Sequence, residues 1–496
     1  MNRCKFIQKR CSGFIVLFLV CCIFLATISE SGEIGSDDLS KRILPLLENP
    51  VLKNASWGIS IVSGRKNTVL FNCRDENLFR VASNMKLLTT SAALEYLGQD
   101  FKYKTNIEAN GSVSSSGELE GDIIIRGSGD PNLSGRFYNG NITAVPDSWA
   151  RALRDRGIKK ISGDIIADDT IFDRDYINPS WPKNQLAEWY CAPSCGLSFN
   201  DNCVDITVCP EKKPGSVVTL LVEPDTSYIN INNTCIYTAN KKEHGYSLER
   251  KQGTNQIFIK GKFWIGASPQ KNWVSVHNPA LYLATVFRES LKRIGISVSG
   301  GVRLIKEGEI TDDNPDVIVQ TVSTLEQTVI ATNKQSQNFY AEQLLKTLGA
   351  QVKGRGTSQA GIEVLYEFVD KLGFNRTECF VEDGSGLSRG NKLSPKFITT
   401  LLTYMSKQPY GKVFFDSLPV AGYDGGMRKR VTASQYKDKI RAKTGFIANT
   451  SALSGYVNAS DGDMLAFSIL MNNFKDLHAV QKIQDNICRV LADNCN

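Results

Sequence analysis

Histidine is almost missing from this chain: three residues, His244, His277 and His478, in 496. None stands in a GxSxG or comparable setting, so a serine hydrolase built on a histidine base has no support. CxxC spacings are absent, and the densest cysteine cluster contains no histidine, so no zinc site is expected and no metal or cofactor is assigned. No apolar run reaches the ~20 residues of a membrane-spanning helix. No low-complexity tract or long linker divides the chain. Nor does any segment carry the basic stripe of a nucleic-acid binder, which excludes that partner class.

What is present begins at the N-terminus. Arg3, Lys5, Lys9 and Arg10 precede an apolar run from Phe14 to Ile28, the layout of a secretory signal peptide. Small residues at Thr27, Ser29 and Ser31 suit cleavage after Ser29 or Ser31. A signal peptide over 1–29 and an exported, periplasmic or extracytoplasmic protein are therefore expected, with membrane contact only through a leader left uncleaved. Without the four leader cations the net charge falls from +7 to +3, so charge says nothing about the substrate. Cys191, Cys195, Cys203, Cys209 and Cys235 fall within 45 residues, and in an exported protein such a cluster predicts at least one disulfide.

The pattern from Trp57 to Arg74 predicts a β-hairpin turning at residues 64–67. SNMKLLTTSAALEYLG follows, with leucines and alanines spaced for a buried helix that stops at Gly98. From 105 to 305 short strands alternate with Gly, Asn and Asp turns, and Gly121-Asp122-Ile123-Ile124 is echoed by Gly163-Asp164-Ile165-Ile166. Helical patterning returns at 279–295 and after Asn338; the last hundred residues read as strands followed by a helix over 476–492. The arrangement predicts an α/β (α+β) fold: a discontinuous domain of 35–104 and 306–496, with its sheet flanked by helices, interrupted by a β-rich insertion over 105–305.

Three motifs stand in order at predicted element boundaries: Ser83-Asn84-Met85-Lys86, Ser336-Gln337-Asn338 and Lys443-Thr444-Gly445. Singly, each has a plainer reading as an N-cap serine, a helix cap or a strand-end turn. Together they form the S-x-x-K, S-x-N, K-T-G set of serine acyl-transfer enzymes. Ser83 and Lys86, three apart at a helix start, share one face, so the amine can serve as base to the hydroxyl. An ordinary lysine, with a pKa of ~10.4, must be depressed to do this; burial and a second cation, Lys443, both have the right sign. Ser336 can relay a proton, the Asn338 amide can hold substrate backbone, and Lys443 with Thr444 can bind a terminal carboxylate. Gly445 permits close approach, and the backbone N–H groups of Ser83 and Phe446 are candidates for an oxyanion hole.

These motifs, with GDIIIRGSGDPNL, VEDGSGLSRGNKLSP and LPVAGYDGG, resemble the class C low-molecular-mass penicillin-binding proteins of the penicillin-binding protein 4 type. The resemblance runs over residues 45–475 and includes the long gap between the first two motifs. It implies a β-lactamase/transpeptidase-like domain and a serine-type D-alanyl-D-alanine carboxypeptidase/endopeptidase. Peptidoglycan stem peptides would be the substrates, and β-lactams would acylate Ser83. Gln337 and Phe446 depart from the family's usual residues, and the Asp383–Arg389 segment is given no catalytic role. A serine β-lactamase or esterase with the same nucleophile, and a non-catalytic peptidoglycan-binding protein, are the competing readings. N-terminal sequencing of the secreted protein is expected to begin at Glu30 or Gly32; a chain that retains Met1 after export would refute the cleaved leader.

Overall fold

A computed structural model describes residues 37–211, 213–309 and 316–494; the leader and Cys495 lie outside them. Its organising layer is a five-stranded sheet in which β1 (Ser56–Ser63) and β2 (Val69–Cys73) form the expected hairpin, while β3 (Ile440–Ile447), β4 (Thr450–Asn458) and β5 (Met464–Asn472) come from the other end of the chain. The order is β3-β4-β5-β1-β2, and every pairing is antiparallel.

Strand alternation builds two cores from this one sheet. On β4 and β5, Leu453, Val457, Leu465, Phe467, Ile469 and Met471 face one side. They pack with the helices Asp37–Leu47 and Leu477–Ala492. Ala452, Tyr456, Ala466 and Leu470 face the other, against α1 (Met85–Leu97), α2 (Asn338–Lys353) and the helices Ser358–Lys371 and Pro395–Ser406. Every residue of α1 from Met85 to Leu94 is buried, which explains why its sequence shows no single apolar stripe; its polar members Lys86, Thr89, Thr90 and Ser91 are buried with the rest. It ends where expected, at Gly98, whose φ of 80° is open to glycine.

The β-rich block has its own cores. A seven-stranded sheet contains the two echoed segments as neighbours: Ile123 and Ile124 pair in parallel with Ile165 and Ile166, and Val302–Leu304 continues the series beyond Ile165–Asp168. Each turn aspartate ties its unit to the next, Asp122 Oδ1 accepting from Asp164 N at 2.6 Å and Asp164 Oδ1 from Gly301 N at 2.7 Å. Two smaller sheets share a further core around Val204, Tyr237 and Phe263.

Two expectations are corrected. The seven-stranded sheet extends past residue 305, because Asp316–Thr324 runs antiparallel to Lys102–Val113. The five clustered cysteines are free thiols. Three of them lie in different cores: Cys195 in that of the seven-stranded sheet, Cys235 in that of the smaller sheets, and Cys203 beside Phe339 and Tyr340. Burial pushes the Cys191 and Cys195 thiols up to about 12. Among the described residues no helix is long and apolar enough to cross a membrane.

Candidate active site

The first motif sits on a sharp turn. Ala82 takes a φ of +45°, unusual for a residue with a side chain, and a short 3-10 turn over Ala82–Asn84 leads into α1. Ser83 is half-buried at the apex, while Lys86 is buried completely. Its Nζ lies 3.1 Å from Ser83 Oγ, 2.6 Å from Asn338 Oδ1 and 2.6 Å from the Ser385 carbonyl. Burial, the dominant cause, holds the Lys86 pKa down to about 7, against the upward pull of the Asp383 and Glu342 carboxylates. Burial, the first cause expected, dominates, and Lys443 is not an agent of the shift. Instead its own pKa is driven well down by burial and by the charge of Lys86.

This coordination matters for the direction of proton transfer. As an ammonium, Lys86 donates to all three oxygens. As a neutral amine it has two N–H groups and a lone pair. The Ser385 carbonyl can only accept, and the Asn338 amide is fixed with its oxygen toward Lys86, because its Nδ2 donates to the Tyr190 carbonyl at 2.9 Å. Two acceptors therefore take the two N–H groups, and the lone pair is left facing the Ser83 hydroxyl. Each end of the Asn338 amide thus makes one hydrogen bond within the protein.

The second and third motifs meet on the other side of the cleft. Ser336, at a φ of +57°, has its Oγ 2.8 Å from Lys443 Nζ, which also donates to the Thr444 carbonyl at 2.8 Å. Lys443 is on β3, the edge strand of the sheet. Ala442 N donates outward, away from β4, to the Pro419 carbonyl; with a period of two, the N–H groups of Thr444 and Phe446 point to the same free edge. Ala421 N returns a bond to the Ile440 carbonyl at 3.0 Å, so β3 is partnered at its start and open at its end. Gly445 lets that open end close on the serine turn: a Cβ there would sit 2.7 Å from the Val81 carbonyl and 3.1 Å from Ser83 N. Thr444 is half-buried, and the Phe446 side chain stands 56% exposed at the mouth.

Sequence reasoning passed over several groups. Asn84 Nδ2 donates to the Lys443 carbonyl at 2.8 Å and its Oδ1 accepts from Ser454 at 2.7 Å, locking the serine turn to β3 and β4. The Asp383–Arg389 segment supplies the Ser385 carbonyl. Asp383 holds that loop by accepting from Gly386 N, Ser388 N and Trp181 Nε1. Glu342, one turn along α2 from Asn338, accepts from Gly384 N and Ser385 N. Burial and Asp383 push its pKa up. Of these, the Asp383–Arg389 segment is marked in the sequence by its turn-rich DGSGLSR pattern; the Ser385 carbonyl itself leaves no residue signature.

A family model described as the D-Ala-D-Ala carboxypeptidase 3 (S13) family matches residues 39–494. The chain belongs to this family. It is 31% identical over 482 residues to a D-alanyl-D-alanine carboxypeptidase of Actinomadura sp. (strain R39), covering 94% of this chain and 86% of that one. It is 26% identical over 483 residues to penicillin-sensitive carboxypeptidase A of Dictyostelium discoideum, covering 90% of each. Its fold is that of penicillin binding protein 4 (dacB) from Haemophilus influenzae, with a TM-score of 0.77 at 23% identity over 92% of this chain and 99% of that one.

The approach of β3 to the serine turn yields a test. Gly445→Ala is expected to fold with a lowered thermal midpoint, because its Cβ must displace the Val81 carbonyl, and to lose about two to three orders of magnitude in the rate of acylation by penicillin at temperatures where it is folded, the scale of one oxyanion donor. Acylation at the parental rate would show that this contact does not position the site.

Proposed function

We propose that this protein is a serine-type D-alanyl-D-alanine carboxypeptidase/endopeptidase of peptidoglycan stem peptides, working through an acyl-enzyme on Ser83. The observation that carries the reading is the buried Lys86 amine, fixed by two acceptors with its remaining valence toward Ser83 Oγ at 3.1 Å. Lys86 takes the Ser83 proton as Oγ attacks the carbonyl carbon of the scissile D-Ala-D-Ala bond. The carbonyl oxygen becomes an oxyanion held by the N–H groups of Ser83 and Phe446. Substrate backbone lies along the free edge of β3 as an added strand. The proton passes through Ser336 to the leaving amine, the C–N bond breaks and D-Ala departs. Water then hydrolyses the ester and restores the Ser83 hydroxyl. Lys443 and Thr444 receive the terminal carboxylate, and Asn338 acts as a positioning residue for Lys86.

β-Lactams follow the same first step, but the ring nitrogen stays tethered to the acyl group, so the ester persists. Support comes from the solved complex of the H. influenzae penicillin binding protein 4 with a β-lactam, a chain of the same fold. The two carboxyls that act on Lys86, Glu342 and Asp383, are both engaged by backbone N–H groups and hold the Ser385 loop. The catalytic unit in this reading comprises residues up to 101 and from 325, with 102–324 inserted. The leader at 1–29 exports the enzyme to the wall.

Labelled penicillin is expected to modify Ser83 stoichiometrically, located by peptide mass spectrometry, and the enzyme to release D-Ala from a pentapeptide ending in D-Ala-D-Ala. Labelling that survives Ser83→Ala would remove the nucleophile assignment; rapid penicillin turnover without D-Ala release would make the protein a β-lactamase.

A further inference from the structure

Beside the reaction cleft, two cavities share a wall made of Trp189, Lys271 and Trp273. The first encloses about 490 Å³ and is also lined by Arg136, Asp201 and Asp205. The second, of about 560 Å³, adds Tyr246. The two indoles are exposed, Trp189 at 36% and Trp273 at 48%. Large aromatics left in solvent on a concave surface are uncommon unless a ligand covers them.

The polar groups narrow the class of ligand. Arg136 is paired with Asp201, and Lys271 with Asp205 at 2.9 Å, so the four charges of the first cavity cancel. A carboxylate or ammonium entering here would have to displace a partner already in place. An uncharged ligand rich in hydroxyls need not, because each ion pair presents N–H donors beside carboxylate acceptors, the set a sugar hydroxyl uses at once. The faces of pyranose rings are apolar C–H surfaces that stack on indoles, while their edges are polar. Aromatic walls combined with neutralised ion pairs thus fit carbohydrate better than peptide.

The position fits too. Gln337, which lines the first cavity, lies between Ser336 and Asn338, and Trp189 precedes Tyr190, whose carbonyl holds the Asn338 amide. The cavity wall is therefore one residue removed from the catalytic loop. We propose that the Trp189–Trp273 groove is a subsite for the glycan strand, binding the N-acetylated amino sugars to which the stem peptide is attached. This rests on the peptidoglycan reading above and extends it from the peptide to the sugar.

The test compares kcat/KM for a D-Ala-D-Ala pentapeptide with that for the same peptide carried on its N-acetylated disaccharide. The parent enzyme is expected to favour the disaccharide form by roughly three- to tenfold, the scale of one or two stacking contacts. Trp273→Ala should bring the ratio close to one. A second measurement needs no turnover: indole fluorescence of Ser83→Ala, titrated with the disaccharide alone, its peptide-bearing carboxyl amidated, should saturate, and the response should vanish when Trp273→Ala is added. A parental ratio of one, an equal loss on both substrates in Trp273→Ala, or no saturable response to the disaccharide would overturn the subsite. Failure of the peptidase reading is recognised separately, as absence of D-Ala release from either substrate.

Discussion

The structure around the cleft depends on keeping one amine dry. An ammonium removed from water is costly, and the group responds by giving up its proton. Lys86 is wholly buried, and the protein supplies it with two neutral acceptors, Asn338 Oδ1 and the Ser385 carbonyl, instead of a direct carboxylate partner. A carboxylate in contact would have stabilised the ammonium and removed the base. Asp383 and Glu342 lie close enough to raise the Lys86 pKa, yet both are engaged by the Gly384–Ser388 backbone. The result, near 7, leaves a substantial fraction of the amine free to accept a proton at neutral pH.

Maintaining that environment takes residues from both ends of the chain. Ser83 and Lys86 come from the start of α1, Asn338 from the start of α2, and Lys443 from an edge strand of the sheet. Asn84 pins the first of these to the third through the Lys443 carbonyl and Ser454. Close backbone contacts finish the fit. Gly445 allows β3 to reach the serine turn, and Gly386, at a φ of +81°, brings the Ser385 loop under it; a Cβ at Gly386 would meet the Ala82 carbonyl at 1.9 Å. Side-chain chemistry and backbone clearance are therefore specified together.

The sequence made the side chains of the site legible, because Ser-x-x-Lys, Ser-x-Asn and Lys-Thr-Gly each carry their chemistry in residue type and spacing. Helix limits followed equally well where an end is marked, as at Gly98. What stayed hidden was carried by backbone or by long-range packing. The Tyr190 and Ser385 carbonyls have no residue signature, and the role of Asn84 depends on where β3 and β4 fall. The same limit explains the cysteines: density between 191 and 235 suggested a bridge, but the segment winds through three cores and the thiols are free. It also explains the displaced boundary at 305, since only pairing with Lys102–Val113 draws Asp316–Thr324 into the seven-stranded sheet. The echo of Gly-Asp-Ile-Ile, by contrast, was a true sign of neighbouring strands.

The central claim is that Lys86 is the group that takes the Ser83 proton, made basic by burial. Its titration can be followed directly by NMR in protein labelled with carbon-13 at lysine Cε, with the signal assigned through Lys86→Arg. The account predicts a midpoint near 7 for Lys86, penicillin acylation that falls with the same midpoint as the pH drops and the amine becomes an ammonium, and a folded Lys86→Arg protein acylated orders of magnitude more slowly. A Lys86 midpoint above ~10, the ordinary lysine value, or near-parental acylation of folded Lys86→Arg, would contradict it.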